Sequence, residues 1–381
     1  MQTYLRKNYQ FRANLLRECT EWRRSSQDEW QQMDNFVLNS IYYEVQNEGF
    51  QVNFKDLERL LFSSFVERYH PFRDFLSGLP AWDGKDRIVP LARRVSQDKL
   101  WALVFHRWMR AMVAQWMGCY MLSANSMVPV LVSKRQGLGK STFWRSIVPE
   151  QLRPYYMDKI EFTATGEYDR MMAQCGLINL DELDSFSARA MSKFKAATQM
   201  TDITGHSVRH NRITNSRRLA SFCATTNKVD ILSDPTGSRR FFCVNVMGKI
   251  NCSRPISYDQ IYAQLVHEVK MGEPTWFDKR EEKRIERHNA SFYVLTPLQK
   301  ALLAYFRIPE MADEANGEAS DVTSSEMLRI VARHRPTLIA GVPASEVGRE
   351  ASRLFPVVKR SGQGNLYRVV PLWNQQTRAA S

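Results

Sequence analysis

The hydrophobic pattern of the middle of the chain consists of short apolar runs that end in polar residues. The runs lie at about 130–133, 176–180, 219–225 and 241–246. Continuous apolar runs of this length are typical of parallel strands that are buried on both faces. The pattern therefore predicts an α/β fold in which the polar residues collect where the strands end.

Turn-forming residues divide the chain into segments around this core. The predicted segments are a helical N-terminal domain at 1–95, a candidate oligomerisation collar; the α/β core at 96–250; a helical region at 251–310; and a winged-helix-like module at 322–373. A capping box that starts at Thr323 and an alternating hairpin at 355–370 indicate the last module. A helical appendage that only stabilises the fold is the alternative for it.

The first apolar run leads into a glycine-rich turn that is suited to hold phosphate. Its residues are Gln136, Gly137, Leu138, Gly139, Lys140, Ser141 and Thr142. Backbone N–H groups of such a turn surround a triphosphate, Lys140 reaches the β- and γ-phosphates, and Ser141 ligates Mg²⁺. Lys134 stands where the full P-loop pattern has its first glycine. A plain strand–turn–helix connection is the competing interpretation.

The second run ends in two carboxylates, about 40 residues after the glycine turn. We expect Asp181 to hold Mg²⁺ and Glu182 to orient and deprotonate the water that attacks the γ-phosphate. A solvated acidic turn is the alternative. Asn179 interrupts the apolar run and weakens the prediction that this strand is fully buried.

The next two runs add an amide and two arginines. Asn227, at the end of the third run, is a candidate to hold the attacking water and sense the γ-phosphate. Arg239 and Arg240 follow a Pro-Thr-Gly turn and suit an arginine finger, a guanidinium that stabilises charge on the transferred phosphoryl group. Surface salt bridges are the alternative role for these arginines.

The order of these motifs resembles the superfamily 3 helicases, a branch of the AAA+ ATPases. More narrowly, the chain resembles the virulence-associated protein E (VapE/VirE) family of prophages and mobile elements. The likeness is carried by YHPFRDFLSGLPAWDGKDRI, QGLGKSTF, LINLDELDSF, SFCATTN and DPTGSRRFF. It implies an AAA+ type P-loop NTPase core that uses ATP and Mg²⁺ and forms a homo-oligomeric, hexameric ring. Such a ring moves along or melts DNA during replication of the mobile element, with single-stranded DNA in a central channel.

In superfamily 3 enzymes a β-hairpin before the sensor strand grips DNA, and the resemblance assigns this role to 203–218. The stretch carries many basic side chains: His206, Arg209, His210, Arg212, Arg217 and Arg218. This composition fits contacts to DNA phosphates. A solvated basic face and a second source of arginines for a neighbouring subunit's nucleotide are the competing interpretations.

Composition agrees with a nucleic-acid partner. The 381 residues carry a formal net charge of +13, which favours polyanion binding. The six cysteines form no CxxC pair, and Cys175 and Cys223 fall in or next to predicted core strands, so we expect reduced thiols and a cytoplasmic location. The uncharged stretch 111–133 contains Gln115, Asn125 and Pro129, and we expect no membrane span.

Two classes of function remain open. The first is an ATP-dependent DNA helicase or translocase, and the second is a nucleotide-switched DNA-binding or regulatory ATPase that unwinds nothing. Glu182 and the arginine turn favour the first class, because a switch needs no full hydrolytic set. A primase has little support, since 1–95 shows neither a zinc-ribbon spacing nor an obvious carboxylate constellation.

Overall fold

The computed structural model describes residues 1–26, 29–119, 124–162, 167–207, 212–232, 238–310, 313–314, 316–361 and 364–372. They divide into two compact units, Met1–Phe292 and Tyr293–Ser381. The boundary falls inside the predicted helical region 251–310. Within the described ranges, no helix combines the length and the apolar character needed to cross a membrane.

The N-terminal part of the larger unit contains a sheet with the strand order β3-β2-β1-β4. Its strands are β1 (Tyr9–Asn14), β2 (Cys19–Arg24), β3 (Gln31–Gln32) and β4 (Glu67–Tyr69). Helices accompany the sheet at Gln2–Asn8, Asn35–Asn47, Phe54–Leu61, Pro71–Ser77 and Ile88–Ala92. One face of the sheet packs through Tyr9 against Leu38 and Leu57 of these helices.

The prediction of a helical N-terminal domain is therefore wrong for the segments that form β1, β2, β3 and β4. The strand β1 alternates buried or half-buried Tyr9 and Phe11 with polar Gln10 and Arg12, which is the period of a strand. This alternation is short and lies among charged residues, so it is a weak sequence signal for a strand. Its pairing with β4, more than 50 residues later, depends on the tertiary fold.

The centre of the larger unit is a parallel sheet with the order β11-β5-β10-β7-β6. The strands of this part of the chain are β5 (Val128–Val132), β6 (Tyr156–Met157), β7 (Leu177–Leu180), β8 (Asp202–Ser207), β9 (Arg212–Arg217), β10 (Ser221–Thr226) and β11 (Phe241–Asn245). Every residue of β5, β7 and β10 is buried. The predicted α/β class with a parallel sheet is confirmed. Strands β8 and β9 pair separately as an antiparallel hairpin.

Helices surround the central sheet at Lys99–Met117, Lys140–Ser146, Glu167–Gln174, Ala188–Ala197, Tyr258–Lys270 and Lys279–His288. The long helix Lys99–Met117 buries Trp101, Trp108 and Trp116, so its aromatic stripe belongs to the core. The Trp108 indole N–H donates to the Phe222 carbonyl of β10. A backbone carbonyl of the sheet thus accepts the one polar hydrogen of an indole ring that is otherwise packed against apolar groups.

The smaller unit consists of short helices and an antiparallel sheet. Its elements are a helix at Pro297–Tyr305, β12 (Phe306–Arg307), β13 (Ser320–Thr323), helices at Ser324–His334 and Ala344–Leu354, β14 (Val357–Ser361) and β15 (Gly364–Pro371). The predicted capping box is present, because Thr323 and Glu326 exchange side-chain and backbone hydrogen bonds. The predicted hairpin is also present as the β14–β15 pair.

A nearly buried carboxylate joins the helices Lys99–Met117 and Tyr258–Lys270. Both oxygens of Glu268 lie 2.8–2.9 Å from His106 Nε2, and Arg110 Nε donates to one of them at 2.8 Å. Burial by itself raises the pKa of Glu268, but the interactions with His106 and Arg110 outweigh it and lower this pKa to about 2. The ionised form is thus favoured by folding.

We predict that Glu268→Gln destabilises the chain in a pH-dependent way. The folded pKa lies below the ordinary value of 4.5, so the stabilisation is fully present above pH 4.5 and is lost as the pH falls towards 2. At pH 7 the free energy of unfolding should fall by roughly 2–3 kcal/mol, and the difference from the parent should shrink below pH 4.5. Urea unfolding at several pH values measures it. The exposed Glu286→Gln is the control, and equal effects of both variants would contradict the prediction.

Candidate functional site

The glycine-rich turn follows β5 at the carboxyl edge of the parallel sheet. Gly137 and Gly139 have φ angles of +71° and +84°, in the left-handed region that glycine adopts most easily. A Cβ atom on Gly139 would lie 3.4 Å from Cys252 Sγ, so the backbone approach is also close there. Ile250 N donates to the carbonyl of buried Leu138 at 2.9 Å. Gln136 and Thr142 are exposed, so this turn is anchored at its centre and open at both ends.

Lys140 lies at the start of the next helix and is only 9% exposed. Its Nζ donates to Asn227 Oδ1 at 2.8 Å and to the Ser133 carbonyl at 3.4 Å. Burial lowers the pKa of Lys140, and the negative charges of Asp181 and Asp184 oppose that shift. The structure thus brings together Lys140 and Asn227, which are 87 residues apart in sequence. The Lys140 ammonium group would gain from an anionic ligand.

Asp181 is held by hydroxyl groups from two directions. Ser141 Oγ donates to Asp181 Oδ1 at 2.8 Å, and Thr225 Oγ1 donates to the same oxygen at 2.5 Å. Hydroxyl and carboxylate oxygens are hard ligands of the kind that Mg²⁺ prefers, and Mg²⁺ commonly takes one or two protein ligands together with phosphates and water. Ser141 and Asp181 therefore fit a magnesium–nucleotide complex. Among the described residues, no group of three or more His, Cys, Asp and Glu side chains is arranged to hold a metal ion.

Glu182 is exposed and has an unusual backbone conformation. Its φ and ψ angles are +56° and +54°, the left-handed region that is uncommon for a residue with a side chain. Its N–H donates to Thr225 Oγ1 at 3.4 Å. This conformation costs on the order of 1 kcal/mol and ends β7 abruptly, so the Glu182 side chain emerges at the sheet edge.

Asp184, Thr225 and Thr226 belong to the site but were not among the predicted residues. Thr226 Oγ1 donates to Asp184 Oδ1 at 2.8 Å, and Lys228 Nζ lies 3.6 Å from the same carboxylate. Both threonines are nearly fully buried. The sequence signal was two adjacent hydroxyl residues immediately before Asn227, together with a third acid in Leu-Asp-Glu-Leu-Asp.

Asn179 interrupts β7 without exposing it. The residue is fully buried, and its Nδ2 donates to Asp158 Oδ1 at 3.2 Å. Asp158 also accepts a hydrogen bond from Tyr156 and forms an ion pair with Arg145. Burial raises the pKa of Asp158, but these hydrogen bonds and the Arg145 charge more than offset it, so the pKa is lowered. The polar interruption is therefore a satisfied core contact.

The sequence around this site matches the model of a known protein family. The model of the virulence-associated protein E-like domain matches residues 76–294, more than half of the chain. The chain belongs to the virulence-associated protein E-like family. The matched range, called the VapE-like domain below, contains the glycine turn, Asp181, Asn227 and the arginine turn.

Comparison with solved structures gives only a weak similarity. The chain is similar to two apo structures of the C-terminal region of NrS-1, each at 11% sequence identity and a TM-score of 0.44. The alignments cover 97% of this chain and 98% and 97% of those chains. No curated protein matches the chain. The family assignment therefore rests on the sequence match.

Within the VapE-like domain, Arg239 and Arg240 lie away from Lys140. They immediately precede β11, whose first residue pairs with Val128 at the start of β5, whereas the glycine turn follows the end of β5. The two arginines line a cavity of about 220 Å³ together with Trp276 and Glu282. Arg239 is exposed and Arg240 is half-buried. One chain does not bring these arginines to its own glycine turn.

The predicted DNA-contacting residues fall into three groups, of which the third is Arg218, described below. Arg209 and His210 lie outside the described residues. Arg212 and Arg217 are the ends of β9, opposite β8, and Arg217 Nε lies 3.2 Å from Asp202.

The assignment of Arg218 to DNA binding is wrong. This residue is fully buried. Its guanidinium donates to the main-chain carbonyls of Met200, Ala220, Asn125 and Thr198 at 2.7–3.1 Å. A side chain that is enclosed and saturated in this way cannot reach a DNA phosphate, and its role is to join the hairpin to the core.

We predict that Arg218→Met destabilises the fold far more than Arg217→Met. Loss of the Arg218 guanidinium removes a hydrogen-bond donor from four main-chain carbonyls, so the free energy of unfolding should fall by roughly 3–5 kcal/mol. The exposed Arg217 side chain should contribute less than about 1 kcal/mol. Chemical denaturation of both variants measures the difference. A stable Arg218→Met protein with weakened DNA binding would restore the original assignment.

Proposed function

We propose that the chain is an ATP-hydrolysing DNA translocase or helicase that acts in replication of a prophage or mobile element. The observation that carries the proposal is the buried Lys140 ammonium beside the Ser141–Asp181–Thr225 cluster, at the carboxyl edge of a parallel sheet. Open α/β sheets commonly bind ligands at this edge. The family's resemblance to superfamily 3 helicases supports the choice of DNA as the polymer.

In this proposal each polar residue has a separate task. Lys140 neutralises phosphate charge, and the contact with Asn227 holds its ammonium towards the space above the sheet. Ser141 and Asp181 would hold Mg²⁺, which would supply positive charge to the phosphate oxygens. Glu182 accepts the proton of the attacking water. The Thr225 hydroxyl keeps both neighbours in place, because it donates to the Asp181 carboxylate and accepts from the Glu182 N–H.

The position of the arginines supports a ring assembly as part of this proposal. Arg239 is exposed at the sheet edge opposite to the glycine turn of the same chain, so an arginine-finger role requires the nucleotide of a neighbouring copy. Closed homo-oligomers with head-to-tail interfaces present one face of each subunit to the next. A hexameric ring with single-stranded DNA in its channel is the form that the family resemblance favours.

The second candidate is a nucleotide-switched regulatory ATPase that binds DNA without unwinding it. The strained backbone of Glu182 favours this candidate as well, since residues held in rare conformations often occur in switch regions. Strand separation of a forked duplex, measured with ATP, distinguishes the two.

We predict that Lys140→Ala and Glu182→Gln fail at different steps. Lys140→Ala should lose ATP affinity by roughly 10- to 100-fold, because a charged hydrogen-bond donor to phosphate is removed. Glu182→Gln should bind ATP normally but lose turnover by at least about 100-fold, because the amide cannot accept the proton. Calorimetric ATP binding and phosphate release measure the two steps. Lys159→Ala and Glu150→Gln, exposed and outside the site, are the matched controls. Parent-like turnover in Glu182→Gln would remove it from the catalytic role.

We predict that Arg239→Ala retains nucleotide affinity and loses hydrolysis, because the guanidinium serves the next subunit. Mixing it with Glu182→Gln should restore part of the turnover, since some interfaces then pair an intact Glu182 with an intact Arg239. Phosphate release across a titration of the two variants measures this complementation. Co-assembled mixtures without any activity would refute the trans arrangement.

A further inference from the structure

A concave pocket of about 590 Å³ lies at the N-terminal sheet, outside the range matched by the VapE-like domain. The side chains that matter for its chemistry are arginines and aromatic rings: Arg6, Arg12, Arg68, Trp30, Phe65 and Tyr69. The pocket volume is in the range of small-molecule and nucleotide sites. Its lining is far more cationic and aromatic than an average surface.

The strand register explains how the pocket arises. Tyr9 and Phe11 pack into the core formed with the helices, whereas Gln10 and Arg12 contact their partners on β2 across the other face. Strand β4 pairs with β1 from Arg12 to Asn14, so the first half of β1 borders the pocket next to Phe65. The sheet edge thus forms the floor, and the aromatic rings form the walls.

Arg12 fixes the aromatic walls in position. Its guanidinium carbon lies 4.1 Å from the centroid of the Trp30 ring and 3.7 Å from that of Tyr69. Its Nε also donates to Glu21 at 2.6 Å. Cation–π contacts and a partly buried ion pair of this kind hold both rings before any ligand arrives, which lowers the entropic cost of binding.

Arg6 and Arg68 supply charge that is available to a ligand. Both side chains are exposed, and within the described residues neither forms an ion pair. Arg6 lies over the ring of Phe65 at 5.0 Å. The acids on the wall are Glu67 and Asp74, and Asp74 already accepts the N–H of His70. The pocket lining thus carries three arginines and two carboxylates, and the Glu21 that pairs with Arg12 lies outside the lining.

We propose that this pocket binds a segment of single-stranded DNA. Bases stack on the Trp30, Tyr69 or Phe65 rings, and Arg6 and Arg68 contact the flanking phosphates. Aromatic platforms interleaved with arginines are the means by which proteins hold single strands without reading their sequence. The inference deepens the proposed function, on which its choice of DNA rests, by giving the strand a contact remote from the β8–β9 hairpin.

Photo-crosslinking tests the location directly. The full chain, without nucleotide, is irradiated with an oligothymidylate that carries 5-iododeoxyuridine, and the crosslinked peptides are identified by mass spectrometry. We expect crosslinks at Trp30, Phe65 or Tyr69. Crosslinks confined to 203–218 or to the smaller unit would overturn the proposal. So would crosslinking to an aryl-iodide-labelled acidic peptide but not to the oligonucleotide, since the pocket would then be a peptide site.

A charge-matched pair of variants tests the arginines. Arg6→Ala/Arg68→Ala should weaken oligothymidylate binding about tenfold and reduce the salt slope by about 1.4, because each phosphate contact of a single strand contributes about 0.7. Lys55→Ala/Arg59→Ala, on an exposed helix face of the same domain, should bind like the parent. Fluorescence anisotropy at several salt concentrations measures both. If both double variants weaken oligothymidylate binding equally, the loss reflects the lower net charge of the protein, and the proposed site is overturned.

These experiments distinguish failure of the pocket assignment from failure of the ATPase proposal. If the parent hydrolyses no ATP but gives the N-terminal crosslinks and the selective loss in Arg6→Ala/Arg68→Ala, the pocket assignment is supported and the ATPase proposal fails. If DNA stimulates ATP turnover equally in the parent and the double variant, and no N-terminal crosslink forms, the pocket assignment alone is overturned.

Discussion

The parallel pairing of β10 with both β5 and β7 is the constraint on which the candidate site depends. Ala224 pairs with Val130 on one side and with Leu180 on the other, so the three strands end at nearly the same level. Lys140, Asp181 and Asn227 follow these strand ends from positions 41 to 87 residues apart. Because each strand is buried on both faces, shifting one of them would expose apolar residues and separate the polar groups at once.

The end of β10 organises two of the three acids of the site, Asp181 and Asp184. Successive strand residues point to opposite faces, so Thr225 reaches Asp181 while Thr226 reaches Asp184. Asn227, the next residue, accepts from Lys140. A ligand that draws Lys140 away from Asn227 would therefore act on the strand that also fixes Asp181 and the Glu182 backbone. This connection is a short physical route from phosphate binding to the position of the candidate base.

The arginines of this chain occupy three different environments, which the amino-acid composition alone does not distinguish. Arg218 is enclosed by main-chain carbonyls and stabilises the base of the β8–β9 hairpin. Arg239 is exposed at the sheet edge remote from the glycine turn, where a second subunit could be reached. Arg6 and Arg68 are exposed beside aromatic rings at the N-terminal sheet. Arginine thus stabilises the fold at Arg218, and in our proposals it serves assembly at Arg239 and DNA binding at Arg6 and Arg68, according to burial and neighbours.

The sequence by itself determined the features that depend on local order. The apolar runs, the glycine turn, the paired acids and the Thr323 capping box were all recognisable, because strand burial, turns and caps leave signals within a few residues. What the tertiary structure decided depended on distant partners. The N-terminal sheet requires β4, the burial of Arg218 requires carbonyls from two distant segments, and the hydroxyl contacts of Thr225 and Thr226 require β7 beside β10. A linear pattern records that a residue is polar, but the partner that satisfies its hydrogen bonds is chosen only when the chain is packed.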